Sequence, residues 1–447
     1  MAEEARIDVK TLLQKAAGDL SAPELHDLAR SAESGPWFGT PGVRSGEPAR
    51  PPDYEWPLVS EHPYMGKYGK GTASVHLGNG HDRLVNPMIF ADGFNYGPSD
   101  LDTLWQWFNM PYSDAGERLF DQLLAAGIDI VLLGFDSRHD YIQVNAGVAR
   151  ACIGKVIAER HGNTPLITGG VSMGGQVTRY ALAAMEHDDE DHQTETYLSW
   201  DSPHNGAWIP LILQQMAYFF EFFEALTPGK AGKASLIRSP AAQQLLWAWV
   251  ADARYSGPIA SASPLRAQFV REMADLGGFP QRPVRLGVAN GRGDGQGPAL
   301  PPGEIVFDKK FLGGLVGSAT ARYQPAFGAE QPIGGMHLGL TARSSTTTAV
   351  APFDGAPGGM LDSFGQVATA LGIELEEAKR WSCFVPSVSA VALDFDPMTW
   401  EVDLEQDLRE VSAEHTMLNE FCCNATNIEH SVVTPMLAEW VLRKIAK

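Results

Sequence analysis

From residue 87 to residue 200 the apolar positions keep two rhythms in turn. Pro87–Ala91 (PMIFA) is a short, unbroken apolar run closed by Asp92-Gly93. Ile128–Leu133, Pro165–Thr168 and Thr196–Trp200 are further runs of strand length, bounded by Gly, Asn or Asp. Between them, residues 114–126, 141–160 and 174–187 carry apolar side chains at helical spacing: Leu119, Leu123 and Leu124 share one face, and Val177, Ala181 and Ala184 another. Strands alternating with helices at this interval form βαβ units, so the pattern predicts a mostly parallel sheet covered by helices on both faces. Right-handed crossovers leave it few topologies.

Outside this block the rhythm changes. Residues 1–34 read as two short helices, with Ser21 as an N-cap, and residues 35–57, rich in Pro and Gly, read as an extended arm. Thr72–Leu77 is a strand candidate before a Gly-Asn-Gly turn. Residues 208–250 are helical and crowded with aromatic rings, more than one buried stripe accommodates. Pro283–Ala289 returns to strand character, while residues 291–360, rich in Gly, Pro and Thr, predict an irregular or small β insertion. Residues 362–380 read as helical and 382–394 as a strand. Thr434 caps a closing helix over 435–446 with Pro435 at its first position, where a missing N–H costs nothing. The implied organisation is an arm (1–60), a core (61–207 and 281–447, interrupted at about 295–360) and an aromatic helical cap (208–280).

Composition narrows the function classes. The 447 residues are 44% hydrophobic and 20% charged, as in an ordinary folded globule. Against 34 basic residues stand 54 acidic ones, a formal charge of −20 that repels phosphate backbones and anionic bilayers, so nucleic acid is not an expected partner. The four cysteines, Cys152, Cys383, Cys422 and Cys423, have no metal-type spacing. The acidic run Glu186–Asp191 with His192 reads as a solvated helix end rather than a ligand set, and neither metal nor other cofactor is expected. No basic segment leads an apolar run at the start, and no uncharged apolar stretch is long enough to span a bilayer, so a cytoplasmic protein without a transmembrane segment is expected.

The chemistry concentrates at Gly170-Val171-Ser172-Met173-Gly174. A G-x-S-x-G element is weak evidence alone, but here a strand precedes it and an amphipathic helix follows. That setting puts a serine hydroxyl on a sharp turn, clear of the sheet edge, as a nucleophile. A serine needs a base, and His430, in a loop four residues ahead of the capped terminal helix, has the right order in the chain; His337 and His415 are rivals on order alone. The orienting acid is Asp201, directly after the next strand, or Asp294, in the Gly-rich loop after the one following. Asp354, Asp394 and Asp396 are less well placed. A tetrahedral oxyanion needs two N–H donors, for which Met173 and Phe94 are the candidates.

The segments IFADGFN, ITGGVSMGGQVTRYAL, YLSWDSPHNGAWIP and NIEHSVVTPMLAEWV, in this order, resemble lipase-like bacterial α/β-hydrolases, esterases among them. The likeness covers about residues 70–210 and 283–447. It implies an α/β-hydrolase fold with a helical cap insertion, Ser172 as nucleophile, His430 as base, and Phe94 and Met173 around the oxyanion. It leaves the acid open: many lipases have Thr where this chain has Asp201, whereas lipases of the pancreatic type carry their acid at that point. His204 matches a residue that is structural in such lipases. The expected activity is carboxylic ester hydrolysis through an acyl-enzyme, on a small and apolar ester held by Phe219, Phe223 and Trp247 of the cap. Alternatives are an amidase, lactonase or acyltransferase on the same residues, or a non-catalytic binding protein. The aromatic helices could equally pack on another element or on a second copy in a homo-oligomer.

Overall fold

The computed structural model describes residues 48–224, 236–251, 257–258, 261–311, 314, 317–348, 350–399 and 401–446. The helices expected before residue 35 lie outside them, as does most of the arm.

Eight strands make the main sheet: β1 (Tyr54–Val59), β2 (Lys70–His76), β3 (Pro87–Ala91), β4 (Asp129–Phe135), β5 (Leu166–Val171), β6 (Thr194–Trp200), β7 (Val284–Arg292) and β8 (Glu420–Asn424). Their order is β1-β2-β4-β3-β5-β6-β7-β8. β2 runs antiparallel to β1 and β4, and the pairs from β4 through β8 are parallel. The fold is that of an α/β-hydrolase. Side-chain alternation along the central strands explains the two-sided cover. Ile89, Ala91, Val131 and Leu133 enter one core with the helices Ile142–Glu159 and Met173–His187. Met88, Phe90, Ile130 and Leu132 enter the other with Leu101–Phe108, Leu119–Ala125 and Pro435–Ile445. The closing helix starts as its sequence demands: the Thr434 side chain accepts the N–H of Leu437, and Pro435 occupies the first turn.

Several elements differ from the sequence expectation, which also lacks β8. β1 falls where an irregular arm was expected; it is an edge strand, which is where Pro57 is tolerated. Leu101–Phe108, unassigned above, is a helix capped by Asp100, whose Oδ1 accepts the Thr103 N–H at 3.0 Å. The strand expected over 382–394 stops at Pro386 and gives way to a helical turn, Ser387–Ala390.

Much of the 291–360 insertion is an ordered antiparallel meander, Ile305–Phe311, Gly317–Arg322, Gln331–Leu338 and Thr341–Thr347, extended by Gly257–Pro258 in parallel. The helix Leu211–Glu224 packs on it. Two of the aromatic residues in 208–250 meet Phe353, just past the meander. Trp208 stacks on Phe353 with centroids 4.9 Å apart, and Trp247 lies 4.7 Å from the same ring. Beneath them Asp354 is buried, accepting the Trp208 indole N–H at 2.7 Å and the Gln324 backbone N–H at 2.6 Å. Burial outweighs those two bonds and pushes its carboxyl up to about 6. No helix among the described residues is long and apolar enough to cross a membrane.

Candidate functional site

Ser172 stands between β5 and the helix Met173–His187 with φ 54° and ψ −124°. Such a backbone is uncommon for a non-glycine residue and is tolerated where surrounding structure imposes it. The crowding is visible beside it: a Cβ on Gly174 would stand 2.2 Å from the Ala91 carbonyl oxygen, so only glycine fits. The Ser172 N–H donates to the Trp200 carbonyl at 2.8 Å, which ties the turn to the end of β6.

Asp201 is the next residue past that end, fully buried and also in the left-handed region, at φ 47°. Its Oδ2 lies 2.6 Å from Nδ1 of His430, which is equally buried. Its Oδ1 accepts the backbone N–H of Asn290 at 2.9 Å. With both oxygens engaged the carboxylate is fixed, and its charge sets the proton of His430 on Nδ1, leaving Nε2 as the basic nitrogen. That Nε2 is buried and has no hydrogen-bond partner among the described residues. Ser172 Oγ therefore does not hydrogen-bond it here.

Asp294, the other candidate acid, is elsewhere. It forms an ion pair with Arg292, whose guanidinium holds the Asp294 carboxyl far below the usual range. Asp354 bonds Trp208, and Asp396 accepts the Met398 N–H at 2.9 Å. His337 Nε2 contacts the Gly339 carbonyl at 2.7 Å in the meander, and the His415 side chain is 68% exposed beside Glu414. His204 is buried between Ser199 Oγ at 3.0 Å and Arg179, and burial drives its pKa well below the ordinary value. In the acidic run, Glu186 bonds His192 at 3.1 Å, and Asp188 and Glu190 pair with Arg150.

The loop after β3 passes beside Ser172: a Cβ on Gly93 would lie 3.3 Å from Ser172 Cβ. Met173 opens its helix, so its N–H lacks a carbonyl one turn back. Neither the Phe94 nor the Met173 N–H has a partner among the described residues. The loop is braced by a pair that the sequence reading passed over. Asp92 accepts the Gly93 N–H at 2.8 Å and meets Arg138 at 3.3 Å, while Arg138 also donates to the Tyr96 carbonyl at 3.2 Å. Burial raises the Asp92 carboxyl above its usual value, against the pull of Arg138.

Ser172 opens on a cleft of about 190 Å³. Leu104, Trp107, Phe108 and Val171 give it an apolar wall, and Asp92, Asn95, Asp100 and Arg138 a polar one; Ser431 completes it. Phe219 and Trp247 are not among its walls; both are packed inside, 4% and 1% exposed. The Phe223 side chain lies outside the described residues. Asn290, Ser431 and the helix with Trp107 were missed from sequence. For the helix a signal existed in Asp100, a capping residue ahead of LDTLWQWF. For Asn290 and Ser431 there was none, because their roles arise from contacts 89 and 141 residues away in the chain.

No family model matches the chain, and no curated protein does. Among solved structures it is similar to the mature form of the Bacillus licheniformis lipase BlEst2, at 15% identity over 54% of this chain and 73% of that one, with a TM-score of 0.27. It is also similar to a Pyrobaculum calidifontis esterase (12% identity, 62% and 87% of the two chains, TM-score 0.27) and to the esterase Est22 (10%, 45% and 58%, TM-score 0.27). Overlaps this loose carry no weight for the chemistry, which the side-chain geometry alone has to support.

Proposed function

We propose that this protein is a serine hydrolase that cleaves carboxylic esters through an acyl-enzyme on Ser172, with His430 as general base and Asp201 as its orienting acid. The observation that carries the reading is the buried Asp201–His430 pair, 2.6 Å apart, whose acid follows directly on Trp200, the residue whose carbonyl holds the Ser172 N–H on a strand–helix turn at φ 54°.

In the first step His430 Nε2 takes the Ser172 hydroxyl proton as Oγ attacks the ester carbonyl carbon. The C=O electron pair moves to oxygen, and the N–H groups of Phe94 and Met173 hold the resulting oxyanion. The tetrahedral centre collapses, the C–O bond to the alcohol breaks, and His430 returns the proton to the leaving oxygen. Water then repeats the sequence: His430 accepts its proton, its oxygen attacks the acyl carbon, and Ser172 leaves reprotonated with the acid released. Asp201 stays ionised throughout, stabilising the imidazolium and fixing the tautomer.

Labelling by a fluorophosphonate probe, with p-nitrophenyl ester turnover followed alongside, tests this on wild type and Ser172→Ala. Loss of both signals in the variant is expected. A folded wild type that takes no label would overturn the hydrolase reading in favour of a binding protein.

A further inference from the structure

Ser431, the residue after the base, is oddly placed for a loop serine. Its backbone is left-handed at φ 70°, yet it is not glycine. It is held from two sides: its N–H donates to Asn290 Oδ1 at 3.1 Å, and its carbonyl accepts the Trp107 indole N–H at 2.7 Å. The residue is only 2% exposed and lines the cleft at Ser172; its Oγ is closed off from solvent and has no hydrogen-bond partner among the described residues, so a ligand bond requires it to turn toward the cleft. A buried hydroxyl left unpaired is costly. A strained, tethered residue carrying one beside a nucleophile is the kind of feature found where a ligand supplies the missing bond.

The cleft itself limits what that ligand is. A cavity of about 150 Å³ takes up benzene, so 190 Å³ holds a group of roughly seven non-hydrogen atoms. A long acyl chain exceeds it and has to run out past the mouth of the cleft. The polar wall sets two carboxylates, Asp92 and Asp100, against one guanidinium, Arg138. That balance disfavours an anionic substrate and suits a hydrogen-bond donor. The wall of Leu104, Trp107 and Phe108 covers the carbon skeleton.

Building on the hydrolase reading, we infer that the substrate is a compact, uncharged ester bearing a hydroxyl group, and that Ser431 Oγ binds that hydroxyl. This departs from the apolar ester expected from the aromatic helices: Phe219 and Trp247 are packed inside, and Trp247 lies against Phe353 rather than on the cleft.

The test compares matched esters: p-nitrophenyl butyrate, 3-hydroxybutyrate and octanoate for the acyl side, and ethyl against 2-hydroxyethyl acetate for the alcohol side. One hydrogen bond gained is worth about five- to tenfold. Wild type is expected to favour the hydroxylated member of one pair by about that factor in kcat/KM, and to disfavour octanoate. Ser431→Ala and Ser431→Gly should each erase the preference; glycine accepts the left-handed backbone, so a change shared by both variants reports the hydroxyl rather than strain. The ratio within a pair is the readout, whatever the absolute rates. Preference for octanoate, or a ratio that both variants leave intact, overturns the inference. If the wild type takes no fluorophosphonate label, it is the hydrolase reading that fails. Calorimetric binding of methyl 3-hydroxybutyrate and 2-hydroxyethyl acetate, against methyl butyrate and ethyl acetate, then decides the cleft's preference by the same criterion.

Discussion

Asp201 Oδ2 lies 2.6 Å from His430 Nδ1 across 229 residues of chain, and the contact depends on one intermediary. Asn290, at the end of β7, gives its backbone N–H to Asp201 Oδ1. Its side chain accepts the Ser431 N–H at 3.1 Å and donates to the Val432 carbonyl at 2.6 Å. One buried residue thus grips both Asp201 and the loop that carries His430.

The assignment of the acid makes the first prediction. Asp201→Asn removes the charge that sets the His430 tautomer, and kcat should fall by roughly 10³- to 10⁴-fold. Asp294→Asn only loosens a half-buried pair with Arg292, away from His430, and its kcat should stay within about threefold. Steady-state kinetics on both variants check this, and a larger loss in Asp294→Asn would transfer the role.

Asn290→Ala keeps the backbone bond to Asp201 but frees the loop that carries His430. Small displacements of a reacting group are expensive, so kcat should drop by about 10- to 100-fold with KM little changed. A merely structural defect would lower the amount of folded enzyme and leave the activity per labelled Ser172 alone. Turnover normalised to fluorophosphonate-labelled sites separates the two, and an undiminished normalised rate would remove Asn290 from the site.

Gly359 offers a steric probe of the same pair. A Cβ there would stand 2.1 Å from Asp201 Oδ2 and 3.3 Å from His430 Cα. Gly359→Ala must push Asp201 from its seat, and a loss of kcat of at least about 10³-fold is expected, comparable with Asp201→Asn. Near-normal turnover in this variant would mean that the Asp201–His430 contact does not matter to catalysis.

How much of this was legible beforehand follows from where each feature gets its energy. The central strands and flanking helices could be read because burial on a two-sided sheet stamps a local period on the sequence. The elbow could be read because its turn excludes larger residues beside Ser172, leaving glycines in view. Edge strands β1 and β8 bury less and carry weaker patterns. The meander at 305–347 hides its alternation among Thr, Ser and Gly, residues whose burial leaves little hydropathic trace. The choice between Asp201 and Asp294 was beyond the sequence because both follow strands of the sheet. Only the path of the 425–434 loop, pinned by Asn290 and Trp107, decides which carboxylate His430 meets.

Asp354 gives the last prediction, away from the cleft. It is buried, and its carboxyl is pushed up from an ordinary 3.8 to about 6. An acid raised in this way keeps its proton in the folded state at pH values where the unfolded chain has already lost it. The native state then binds more protons than the unfolded one, so this group's contribution to stability falls as pH rises from about 4 to about 6 and is level beyond. Asp354→Asn retains an oxygen for the Trp208 indole and does not titrate. The stability of wild type relative to this variant should therefore decline between pH 4 and pH 7, by up to about 3 kcal/mol. Urea unfolding of both proteins at several pH values in that window measures the difference directly. Parallel curves would mean that Asp354 titrates normally, and hence that the junction of Trp208, Gln324 and Phe353 admits water to it.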